Sequence, residues 1–173
     1  MGAKKSGEMD PENNLKAEVG EAIHEMIWEL LIRESYSTNI TVLSKEQSFY
    51  DSRFFLSGRT DMFLHDRNHD QLVGLEIKSV GEYVTGLTFQ QPKEEHVIQA
   101  AIYLDQYNLM KNEGMKSVVS WDLLYYCRSE SWRLKKYPHG SPFKDLWQFS
   151  ITINKDGEIF IENQLGSITK AEF

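Results

Sequence analysis

The sequence predicts an α/β fold, a mixed central sheet flanked by helices. Three observations predict it. Two long stretches, residues 13–33 and about 93–112, repeat apolar residues at helical spacing. Between and after them lie runs that alternate apolar and polar residues, as strands with one buried face do. The order is helix, three strands, helix, strands, which suits helices packed on a sheet.

The first helix, "NNLKAEVGEAIHEMIWELLIR", offers Leu15, Val19, Ile23, Met26, Ile27, Leu30 and Leu31 to a core, with Asn13 or Asn14 as its cap. Residues 1–12 read as a flexible polar tail, and 13–173 as a single domain. Residues 39–49 and 53–65 read as strands joined by a short turn near Asp51. "HDRNHDQ" (65–71) is a turn by composition, and 72–80 is the third strand of an antiparallel meander. After a loop, the second helix can turn Val97, Ile98, Ala101, Leu104 and Leu109 inward. "SVVSWDLLYYC" (117–127) is a strand that returns parallel to the sheet after this helical crossover. A hairpin near Ser129–Ser131 follows, then two alternating strands about an Asp156-Gly157 turn.

A chain of 173 residues, 40% apolar and 12% aromatic, fills one core. It has no run of 18 apolar residues, so no membrane span is expected. The polar start "MGAKKSGEMDPENN" lacks a signal-peptide core, and a cytoplasmic protein is expected. "MGAKKS" loosely fits a myristoylation template, but a polar tail accounts for it more simply. The single cysteine, Cys127, rules out an intrachain disulfide, a four-cysteine zinc site and an iron–sulfur cluster. The formal charge of −7 argues against broad coating of nucleic acid. It leaves room for an enzyme with a local basic groove, and a metal-binding cluster of acids would itself lower the charge.

Chemistry gathers around "GLEIKSV" (74–80). Side chains alternate along a strand, so Glu76 and Lys78 share one face while Leu75 and Ile77 enter the core on the other. An acid and a base two apart are commonly a surface ion pair. Upstream, "SGRTDMFL" sets Asp61 in an apolar strand, where an acid is costly unless paired or metal-bound. The turn between residues 61 and 76 can bring the two acids together, and a divalent cation relieves their repulsion. Oxygen ligands suit Mg²⁺ or Mn²⁺. On the first helix, His24 shares a face with Gly20, whose missing side chain lets the backbone approach a neighbour. Alone, His24 reads as a packing histidine; beside two acids it becomes a nitrogen ligand that favours Mn²⁺ tolerance. Glu21 can support His24 or a metal-bound water, or simply be a solvated surface acid. On the second helix, His96, Gln99 and Tyr103 form a polar line able to orient a lysine or meet a phosphate.

The ordered set of His24 in "GEAIH", Asp61 in "GRTD", Glu76 and Lys78 in "EIK", and Gln99 and Tyr103 in "QAAIY" resembles the PD-(D/E)XK nucleases. It is most similar to the RecB/Cas4-type branch, and the resemblance covers about residues 17–107. It implies a restriction-endonuclease-like sheet and a metal-dependent nuclease. His24, Asp61, Glu76 and the backbone carbonyl of Ile77 would hold Mg²⁺ or Mn²⁺. Lys78 would activate or position the attacking water, and Gln99 and Tyr103 would shape the site and contact the nucleic-acid backbone. Gly58 would serve backbone geometry. The absence of cluster cysteines sets the chain apart from Cas4 itself. The implied substrate is DNA, single-stranded or with a free end, cut as an exonuclease to leave 5′-phosphates. The implied partners are replication or recombination proteins, and a compact stand-alone nuclease of the kind phages encode is the simplest fit. "RSESWRLKKYPHG" adds Arg128, Arg133, Lys135 and Lys136 among Trp132 and Tyr137, a mixture suited to a single strand or to an ordinary exposed hairpin. Two rival readings are an RNA endonuclease of the cap-snatching kind and a binding module that does not cut.

Overall fold

The computed structural model describes residues 11–53, 55–81, 88, 90–111, 115–128 and 146–172. Helix α1 (Pro11–Glu34) is followed by β1 (Ile40–Asp51), β2 (Leu56–Asp66) and β3 (Gln71–Val80). Helix α2 (Glu94–Met110) leads to β4 (Val118–Cys127), β5 (Leu146–Ile153), β6 (Ile159–Asn163) and β7 (Ile168–Lys170). Among the described residues these seven strands form one mixed sheet in which each strand lies beside its neighbour in sequence. The α/β class predicted from the sequence is therefore observed.

One pairing, β3 with β4, is parallel; the rest are antiparallel. The cause is the α2 crossover, since parallel neighbours need a connection long enough to carry the chain back along the sheet. Side-chain alternation then splits the interior in two. On one face Ile23 and Ile27 of α1 pack on Met62, Leu64, Leu75 and Ile77. On the other, Val97, Ala100, Ala101 and Leu104 of α2 pack on Trp121, Leu123, Tyr125, Trp147, Phe149 and Ile151. Gly74 is fixed by this second core: a Cβ there would sit 2.3 Å from the Trp121 indole.

Several expectations shift. The helix α1 begins at Pro11, so Asn13 and Asn14 lie inside it and residues 11 and 12 are not tail; residues 1–10 lie outside the described residues. Strand β1 runs to Asp51, which pairs with Leu56, so the hairpin turn lies after Asp51. Asp51 is buried and accepts hydrogen bonds from the Arg53 backbone and guanidinium, which hold its carboxyl below the usual range. Leu15, Val19 and Met26 are exposed, and the α1 residues buried in the core are Ile23 and Ile27. Ile98 and Leu109 of α2 are exposed too. Strand β7 (Ile168–Lys170) was not foreseen; it is three residues long and exposed along its length, with no apolar alternation to announce it. The turn expected near Ser129–Ser131 lies outside the described residues. The Asp156-Gly157 turn is present, with Gly157 at φ 80° and its N–H donating to the Asn154 carbonyl at 3.1 Å. Among the described residues no helix is long and apolar enough to cross a membrane.

Candidate active site

The site is a fork in the sheet. The antiparallel ladder between β2 and β3 ends at Met62–Leu75, although both strands continue. Past that point the N–H of Ile77 has no β2 carbonyl to meet. It donates instead to the Asp61 carboxylate at 2.6 Å. An acid inside an apolar strand is thus satisfied by a backbone donor that the fork sets free.

Through the opening, residues from both faces meet. From the α1 side, His24 Nδ1 lies 3.3 Å from Asp61 Oδ1, and its Nε2 donates to the Ile77 carbonyl at 3.1 Å. Both partners are acceptors, and the hydrogen bond to Asp61 raises the His24 pKa against the opposing effect of burial, which favours the protonated ring.

From the α2 side, Glu76 is 4% exposed. Its Oε1 accepts from Lys78 Nζ at 2.7 Å and from Gln99 Nε2 at 3.0 Å. Among the described residues its Oε2 is buried with no partner. Burial, then the nearby Asp61 charge, pushes the Glu76 carboxyl up to about 7, although Lys78 pulls it down. Gln99 ties the group together, because its Oε1 accepts from Lys78 at 2.8 Å while its Nε2 also donates to Tyr103 Oη at 2.8 Å. The Tyr103 hydroxyl in turn donates to the Arg59 carbonyl at 3.3 Å. Desolvation raises the Tyr103 pKa, so the phenol stays protonated as that bond requires.

His24, Asp61, Glu76, Ile77, Lys78, Gln99 and Tyr103 are therefore brought together as the sequence reading expected. Others are not. Glu21 is on the exposed side of α1, and both nitrogens of His24 are taken by Asp61 and Ile77. His96 leaves the line of Gln99 and Tyr103: its Nδ1 accepts from Tyr125 Oη at 2.7 Å, an oxygen that itself accepts from the Lys93 N–H. Burial, then the Lys78 charge, lowers the His96 pKa to about 4, so it is a neutral packing partner of the Tyr125 ring. Arg133, Lys135, Lys136, Trp132 and Tyr137 lie outside the described residues. Gly20 is not needed for close approach, since the nearest atom to an added Cβ is Ser79 Oγ at 4.0 Å. Gly58 is required for space: a Cβ there would lie 2.5 Å from the Phe49 ring and 2.9 Å from Tyr103. Sequence reading missed Phe49, which packs edge-on to Tyr103 and holds that ring against β2. The available signal was an aromatic residue on the strand paired with a glycine.

Among the described residues, no group of three or more His, Cys, Asp or Glu side chains is gathered as a metal-binding cluster. The donor types nevertheless fit a hard divalent cation: two carboxylates, a carbonyl and an imidazole. The buried, unpartnered Glu76 Oε2 is the observation that favours this fit, since such an atom is costly until something positive meets it. No protein-family model matches the chain, and no curated protein matches it.

Proposed function

We propose that the chain is a metal-dependent nuclease of the PD-(D/E)XK kind that hydrolyses phosphodiester bonds of DNA at the fork between β2 and β3. The observation that carries this reading is the convergence of Asp61, Glu76 and Lys78 with His24 and Gln99 in one partly buried opening. His24, Asp61, Glu76 and the Ile77 carbonyl would hold Mg²⁺ or Mn²⁺. When bound, such an ion supplies Lewis-acid polarisation of a phosphoryl oxygen and makes a bound water more acidic. To serve as a ligand, His24 would present one bare ring nitrogen, and the group now facing that nitrogen, Asp61 or the Ile77 carbonyl, would lose its hydrogen bond.

Lys78 supplies a compact positive charge where negative charge develops on the phosphoryl group, and it orients the attacking water. Gln99 keeps that ammonium in place by accepting one of its hydrogen bonds. Tyr103 keeps Gln99 in its rotamer by accepting from its amide. A preference for single strands or DNA ends, and work beside replication or recombination proteins, follow from the family resemblance.

A second reading, a nucleic-acid-binding module that does not cut, has one observation in its favour. The cationic groups of the fork already have partners: Lys78 has Glu76 and Gln99, and His24 has Asp61 and Ile77. A substrate panel separates the two. Labelled single-stranded, duplex, flapped and circular DNA and a matched RNA are incubated with Mg²⁺ or Mn²⁺. Metal-dependent cleavage of DNA supports the nuclease. Binding without cleavage supports the module, and cleavage of RNA alone supports an RNA endonuclease. Circular DNA, having no end, distinguishes internal cleavage from attack at termini.

A further inference from the structure

Beside the fork lies a pocket of about 200 Å³ between the β1–β2 hairpin and the C-terminal half of α2. Its walls include Phe49, Phe63, Tyr103 and Tyr107. The four rings pack in two pairs, Phe49 edge-on to Tyr103 with centroids 5.4 Å apart, and Phe63 tilted on Tyr107 at 4.6 Å. Its rim carries the exposed polar residues Gln47, Ser48 and Lys111. The volume is below the roughly 300–1,000 Å³ typical of drug-sized sites and matches a single ring system.

Tyr103 belongs to both places. Its ring lines the pocket, and its hydroxyl is two hydrogen bonds from Glu76 by way of Gln99. A group held in the pocket is thereby fixed relative to the fork. Gly58 shapes the same wall, because only a residue without Cβ lets Phe49 and Tyr103 meet over β2.

We propose that this pocket receives one unpaired nucleobase of the strand whose phosphate lies at the fork. The proposal rests on the nuclease reading for the position of that phosphate. Every base has an apolar π-face, so an aromatic pocket accepts it whatever its identity, while Gln47, Ser48 and Lys111 meet its polar edge or the adjoining phosphate. A paired base cannot leave its stack to enter without an unpairing cost, so the pocket selects single-stranded or frayed DNA over intact duplex.

The test uses a fluorescent hairpin DNA with a short single-stranded tail. An abasic residue is moved along the tail one position at a time. Affinity is read by anisotropy in a chelator, so no cleavage enters; cleavage of the unmodified tail with Mn²⁺ is scored separately. One position is expected to lose about five- to a hundredfold in affinity, the range that stacking on one base supplies. Gln47→Trp and Met110→Trp, at exposed positions that line the pocket on β1 and α2, are chosen to fill it. Both should weaken binding of the unmodified tail by a similar factor and erase the positional penalty. An equal penalty at every position, or a penalty that survives both variants, overturns the proposal. A tail bound with positional preference but never cut keeps the pocket and removes the nuclease reading. A tail that is cut without positional preference does the reverse.

Discussion

The Asp122 carboxylate is a buried charge whose cost can be measured. It lies on β4 opposite Leu75, is 9% exposed, and accepts from Ser150 Oγ, Gln148 Nε2 and, at 3.4 Å, Ser120 Oγ. Burial outweighs those three donors and pushes its carboxyl from the usual 3.8 up to about 6. Between pH 3.8 and 6 the folded chain keeps a proton that the unfolded chain has lost. The contribution of Asp122 to stability must therefore fall as pH rises through that window and level off above it. At about 1.4 kcal/mol per pKa unit, roughly two units cost about 3 kcal/mol. The variant Asp122→Asn carries no charge at any pH, and the serine hydroxyls can rotate to serve the amide. Its stability relative to the wild type should rise by about 2.4 kcal/mol between pH 4 and pH 7, where most of that penalty develops. For a chain of this length that is roughly 5–10 °C in melting temperature. Urea melts of both proteins at steps of pH across the window give the difference directly, because every other titrating group is common to both. A difference that does not vary with pH refutes the reasoning, since desolvation of the ionised carboxylate would then not be what the native state opposes.

Four further outcomes test the fork. Asp61→Asn should remove both Mg²⁺- or Mn²⁺-dependent cleavage and the rise in melting temperature on adding metal, while its amide oxygen still accepts from the Ile77 N–H and preserves the fold; wild-type cleavage rates would remove Asp61 from the site. His24→Ala should shift the metal titration of activity to higher concentration, and an unchanged curve returns the residue to packing. Lys78→Ala should lose single-turnover cleavage yet bind DNA, and Lys78→Arg should also be poor because a planar fork does not replace a compact ammonium; full turnover by Lys78→Ala would make the Glu76–Lys78 contact a mere ion pair. Gly58→Ala should destabilise by about 1–3 kcal/mol, since its Cβ overlaps the Phe49 ring, and a melting temperature equal to wild type contradicts that packing.

The fold class and the fork residues were legible because each rests on a local regularity. Alternation put Glu76 and Lys78 on one face and Leu75 and Ile77 on the other, and the structure keeps that division. The spacing of Gln99 and Tyr103 placed them together on α2, where they share a hydrogen bond. His96 fits the same helical spacing, yet Tyr125 on a strand 29 residues away captures it, and no local pattern encodes that pairing. Gly20 and Gly58 look alike in sequence; only the rings lying over Gly58 make it indispensable. Exposure of Leu15 and Val19 was illegible for a similar reason, because periodicity shows which face is apolar but not how far the sheet beneath extends.

The packing of α2 has a consequence for how the protein is made. All the proposed fork residues lie between positions 24 and 103, yet α2 is held by β4 and β5, which carry none of them. Gln99 and Tyr103 cannot be steadied until Trp121, Tyr125, Trp147 and Phe149 have been translated and have closed the second core. At roughly 5–20 residues per second, several seconds of synthesis separate the end of α2 from the end of β5. The local β1–β2–β3 meander can form early, while the parallel β3–β4 closure waits for a distant segment. A nascent chain thus passes through a stage in which every fork residue has been added and the fork has not yet been assembled.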